Sequence, residues 1–86
     1  MNESKISILI AEDDNEVALS LNSVLTEKGF NVTIAVDGEL VLSKLEEKKF
    51  DIVILDLKLP KVGGFQILGH IKNNIPSTKV IVLTAY

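Results

Sequence analysis

The sequence contains no cysteine. Disulfides and thiolate-held metals are therefore excluded, and a reducing compartment is permitted. Long apolar runs are also missing. No stretch nears the roughly 20 consecutive apolar residues of a membrane span, and the opening MNESKISILI is too short in apolar residues for a signal peptide. The expectation is a cytoplasmic protein with no membrane partner. Basic residues are few and scattered, and the formal net charge is −3. With no Lys/Arg stripe to neutralise phosphates, no nucleic acid is expected to bind this chain itself. Neither G-x-G-x-x-G nor G-x-x-x-x-G-K-S/T occurs to cradle a nucleotide phosphate.

What is present is an apolar fraction of 47% in 86 residues, enough for a core in one small domain spanning 1–86. A chain of this size buries only about 60–65% of its unfolded surface, so modest stability is expected. Apolar runs alternate with segments of helical period. Ile6 to Ala11 is nearly continuous, as in a parallel strand buried on both faces. Val17, Leu21, Val24 and Leu25 follow at helical spacing, with Asp14 or Asn15 as N-cap and Gly29 as the stop.

Phe30 to Val36 has strand period. Asp37-Gly38 opens a second helix with Val41, Leu42 and Leu45 inward, and Ile52 to Leu55 is a third strand. Gly63-Gly64 precede a third helix expected to turn Phe65, Leu68, Ile71 and Ile75 inward; Lys79 to Leu83 is a fourth strand. This β-α-β-α-β-α-β order implies an α/β fold, a doubly wound parallel sheet with right-handed crossovers.

Two strands end in acid. ILIAEDD places Glu12, Asp13 and Asp14 after the first, and DIVILD places Asp56 at the end of the third. In open α/β sheets, ligands sit outside the carboxyl ends of strands. If these two strands are neighbours, three carboxylates converge and repel, each raising the others' pKa. A hard divalent cation offsets that repulsion, and Mg²⁺ characteristically combines one or two carboxylates with water and phosphate. A carboxylate beside the metal can then act as a nucleophile toward phosphorus. Asp14 fits a helix cap better than a ligand. Thr84, at the end of the fourth strand, could donate its hydroxyl to a phosphoryl oxygen. Leu59-Pro60 stiffens the loop after Asp56.

With these motifs in place (ILIAEDD, DIVILDLKLPKVGG and VIVLTA), the chain resembles the receiver domain of bacterial two-component response regulators from Lys5 to its last residue. The resemblance implies a flavodoxin-like sheet of strand order 2-1-3-4 and Mg²⁺-dependent transfer of a phosphoryl group from a sensor histidine kinase or phosphotransfer protein. It makes Asp56 the phosphoacceptor and Thr84 the phosphoryl-binding hydroxyl. The metal site it implies is Glu12, Asp13, Asp56 and the backbone carbonyl of Lys58. Ala85, Pro60 and Gly64 match the family's small and loop residues, while Val62 and Gly63 stand where methionine and aspartate are common.

Receivers continue through a fourth helix, a fifth strand carrying a lysine and an aromatic, and a fifth helix. The expectation is a receiver without these elements or a fragment of a longer protein, and Lys58 and Lys61 lie on the stiff loop with nothing to aim them at the site. Ending on VIVLT leaves an apolar edge strand, so self-association through it is expected.

Two rival readings share the scaffold. One is a phosphorylation-incompetent receiver-like fragment serving as an interaction or oligomerisation module. The other is an enzyme on a similar sheet. An aspartate-nucleophile phosphatase of the haloacid-dehalogenase kind wants a second acid two residues after its nucleophile, where this chain has Lys58. A receiver, not an enzyme, is the favoured reading. His70, between Leu68 and Ile71 and without an acidic partner in sequence, reads as a solvated helix residue rather than a phosphodonor.

Overall fold

Successive side chains of a strand point to opposite faces of its sheet, so a strand covered on both sides must be apolar throughout. Ile8 to Ala11 meets that demand, and it forms the middle of the protein. A computed structural model describes residues 5–83. The elements are β1 (Ser7–Ala11), α1 (Asn15–Glu27), β2 (Asn31–Ala35), α2 (Gly38–Glu47), β3 (Ile52–Asp56), α3 (Gly64–Asn74) and β4 (Lys79–Leu83). All pairings are parallel, in the order β2-β1-β3-β4.

Two cores flank the sheet. Leu9, Ala11, Val53 and Leu55 face α2 and α3, where Val41, Phe50, Ile67 and Ile71 close over them. Ile8, Ile10 and Ile54 face α1, packed by Ala18, Leu21 and Leu25. At the edge, β4 leaves Ile81 52% and Val82 43% exposed.

The helix ends follow local chemistry. Asp14 caps α1, its side chain accepting from the N–H groups of Glu16 and Val17. Gly29, at φ 95°, takes the left-handed turn that stops the helix. Asp37 caps α2 through the Leu40 N–H.

One expected orientation is corrected. Phe65 is 72% exposed, and Ile67, fully buried at 0%, takes the inward place beside Leu68, Ile71 and Ile75. The cause is the approach of Gly64 to the loop that follows β3: a Cβ on Gly64 would overlap the Leu57 backbone. That contact fixes the phase of α3. Gly64, Ile67 and Ile71 share the inner face, and Phe65 lies about 100° round the helix from Gly64.

Candidate functional site

Register decides which side chains meet. Ala11 pairs with Leu55, so the residues that follow, Glu12 and Asp56, stand level with each other. Glu12 extends the line of β1, its N–H donating to the Ala35 carbonyl of β2 at 3.1 Å. Asp13 follows as the chain swings toward α1. One carboxylate oxygen each from Glu12, Asp13 and Asp56 lies within 4.8 Å of the others. At about 5 Å, two like charges repel by roughly 3 kcal/mol at an effective dielectric near 20.

The three acids differ in surroundings. Glu12 is buried, 5% exposed, and accepts from the Asp14 N–H at 2.9 Å. Burial pushes its pKa above the ordinary carboxylate value. The charge of Asp56, a side-chain hydrogen bond to Asp56 and the charge of Asp13 push the same way, and the Asp14 N–H opposes them. Asp13 is exposed and Asp56 half-buried. The Asp56 Oδ1 accepts from the Lys58 N–H at 2.9 Å, which holds the carboxylate in one orientation at the mouth of the loop.

An all-oxygen donor set with surplus negative charge suits a hard divalent cation and does not suit a soft metal. Both charge and donor chemistry therefore fit Mg²⁺. Asp14 stands outside this cluster as the helix cap.

The remaining candidates fall as follows. Lys58 lies on the loop directly after Asp56, and its side chain is exposed. Thr84 and Ala85 lie outside the described residues. Lys61 reaches away to the start of α2, with its Nζ 3.9 Å from Asp37 and 4.0 Å from Glu39. His70 is exposed on α3, where the Asn74 side-chain amide contacts its ring nitrogen at 3.3 Å. Among the described residues, no helix is long and apolar enough to cross a membrane.

Sequence reasoning missed the ties between the loop after Asp56 and α2. The Gly38 N–H donates to the Pro60 carbonyl at 3.0 Å, and a Cβ on Gly38 would overlap Val62. The signal was the Asp37-Gly38 pair itself, which reads as a helix start whatever the glycine touches.

The family model of the response regulator receiver domain matches residues 8–86. The chain belongs to this family. The receiver is 38% identical over 82 residues to response regulator RR06 of Streptococcus pneumoniae, covering 93% of this chain and 36% of that protein. Its fold matches a CheY-like receiver domain protein from Methanospirillum hungatei with a TM-score of 0.92 at 32% identity, covering 96% of this chain and 66% of that one. It matches response regulator TrrA of Thermotoga maritima, solved in complex with Mg²⁺-BeF, with a TM-score of 0.87 at 33% identity, covering 94% and 70% of the two chains. TrrA has also been solved in complex with the histidine kinase ThkA, and that structure matches at 33% identity and a TM-score of 0.86, with the same coverage. The receiver spans about a fifth to a little over a third of the length of its curated relatives. It is a signalling domain of the two-component type.

Proposed function

We propose that this receiver accepts a phosphoryl group on Asp56 from a sensor histidine kinase or phosphotransfer protein, with Mg²⁺ held by Glu12, Asp13, Asp56 and the Lys58 backbone carbonyl. The observation that carries the reading is the convergence of three carboxylates at the carboxyl ends of neighbouring strands, at a cost in repulsion that no structural role requires. TrrA's complexes with Mg²⁺-BeF and with ThkA support it by likeness.

The chemistry assigned to each residue is concrete. When bound, Mg²⁺ neutralises the clustered acids and the charge on the incoming phosphoryl oxygens. Asp13 and Glu12 supply the negative charge that draws the cation to this rim. The Lys58 N–H keeps the Asp56 carboxylate turned outward. A free oxygen of Asp56 then attacks phosphorus in line. An O–P bond forms, the P–N bond of the donor phosphohistidine breaks, and its electron pair returns to the imidazole nitrogen. Thr84, beyond the described residues, receives the phosphoryl oxygens through its hydroxyl. The reaction modifies the chain itself, so the domain acts as a receiver and at most assists its own phosphorylation and dephosphorylation.

The test is intact mass after incubation with acetyl phosphate, with and without Mg²⁺, beside Asp56→Asn. The expected result is a Mg²⁺-dependent phosphoryl adduct on the wild type and none on the variant. An adduct that survives Asp56→Asn sinks the assignment. No adduct on folded wild type leaves the scaffold reading.

The exposed Ile81 and Val82 of β4 support a second, separate proposal: these 86 residues associate through that edge. Light scattering is expected to give a mass above the monomer. A sharp monomer peak counts against association.

A further inference from the structure

The loop from Leu57 to Gly63 carries the only backbone groups assigned to the metal site, so whatever holds this loop also sets that site. Its floor is apolar, with Leu59 buried and Val62 packed against the core beneath α2 and α3. Its outer edge is tied to α2, an element that contributes no carboxylate to the acidic cluster.

Two contacts make that tie. The Pro60 carbonyl accepts from the Gly38 N–H at 3.0 Å, and the lack of a side chain at Gly38 is what lets the chains approach: a Cβ would fall on the Val62 carbonyl oxygen and within 2.6 Å of Val62 Cβ. Beside it, the Lys61 ammonium stands 3.9 Å from Asp37 and 4.0 Å from Glu39, the acids that begin α2.

Lys61 holds a left-handed backbone, φ 72°, and is the one described residue other than glycine to do so. A side chain makes that conformation costly, and glycine would adopt it freely. A lysine there is poorly placed for backbone energy and well placed for reaching Asp37 and Glu39. Residues held in sparsely populated conformations persist where their surroundings over-determine them.

We propose that Gly38 and Lys61 are positioning residues for the Mg²⁺ site: through them the first turn of α2 clamps the loop that carries Lys58, whose N–H already holds Asp56. This rests on the phosphoacceptor reading and deepens it. Neither residue touches the metal, and both act by limiting where Lys58 can sit. Loosening such supporting contacts weakens metal affinity even when the ligands are intact.

The experiment is calorimetric titration of the 86-residue chain with Mg²⁺, paired with the thermal midpoint in EDTA, for wild type, Asp13→Asn, Lys61→Gly, Lys61→Arg and Gly38→Ala. Lys61→Gly is expected to bind Mg²⁺ about threefold more weakly, as suits the loss of partly exposed ion pairs. Its midpoint is expected to stay or rise, because the left-handed backbone is relieved. Lys61→Arg keeps the cation and is expected to match wild type. Gly38→Ala, which pushes Val62 outward, is expected to weaken Mg²⁺ by about tenfold.

Wild-type affinity in Lys61→Gly overturns the role of Lys61, and wild-type affinity in a folded Gly38→Ala overturns that of Gly38. Should Gly38→Ala fail to fold, Lys61→Gly decides alone. A wild type with no saturable Mg²⁺ binding, or binding that Asp13→Asn leaves intact, removes the metal reading itself and the inference with it.

Discussion

Asp51 and Asp56 stand at opposite ends of the same strand, β3, and the fold uses them in opposite ways. At the amino end, the Asp51 carboxylate accepts from the Ser7 N–H at 2.8 Å, its own N–H donates to the Ser7 carbonyl at 2.9 Å, and its carbonyl accepts from Lys79 at 3.0 Å. One residue thus ties β1, β3 and β4 together. Nearby, the Thr78 hydroxyl donates to the Phe50 carbonyl at 2.8 Å. Polar groups at this end have partners of the right kind. At the carboxyl end, Asp56 faces two more carboxylates, Glu12 and Asp13, and burial together with these neighbours pushes the Glu12 pKa up. The strand supplies the same geometry at both ends. What separates a staple from a site is whether the neighbours are donors.

The sharpest way to break this contrast is to exchange the roles by mutation. Asp56→Asn is expected to lose the whole phosphoryl adduct, while Asp51→Ala keeps it in full by the same mass measurement. Next comes Asp13→Asn. It is expected to weaken Mg²⁺ by at least about tenfold, and the Mg²⁺-free protein should melt no lower than wild type, because a repelling charge is gone. A lower melting point in EDTA would mean that Asp13 also has a structural partner.

At the other end of β3, Thr78→Val keeps the shape and leaves the buried Phe50 carbonyl unpaired, for an expected loss of about 1–2 kcal/mol in urea unfolding and unchanged phosphorylation. The smallest effect belongs to Asp51→Ala itself. Its hydrogen bond to Ser7 is exposed and water can replace it, so a stability loss of about 0.5–1 kcal/mol is expected. A larger loss would show that the staple does more than its geometry suggests.

The strands and helices were legible because each apolar run has one natural partner arrangement. Ile6 to Ala11 needs cover on two faces, and helices of three turns lie on either side to supply it. The pairing of Asp13 with Asp56 was legible on one condition, that β1 and β3 are neighbours, and the register meets it.

Phe65 was misread for an identifiable reason. Periodicity gives the spacing of an apolar stripe but not its phase. In α3 the phase is set by the backbone contact between Gly64 and Leu57, which leaves no mark in the apolar pattern. The clamp on the loop was hidden in the same way. Its parts, Gly38, Pro60 and Lys61, are a helix start, a stiff turn and a surface charge when read singly. Only the folded chain brings a lysine in left-handed conformation within reach of Asp37.

The strand order carries a consequence for how the chain is made. β1 is synthesised before both of its neighbours and lies in the interior of the sheet, with β2 on one side and β3 on the other. On a ribosome, β2 follows soon enough to occupy one side, but the other stays open until residues 52–55 have left the exit tunnel. For that interval the apolar edge of β1 is a bare template, and the nascent chain is prone to adhere to other chains. The same residues that make β1 the best-shielded of the described strands make it the one most in need of protection during translation.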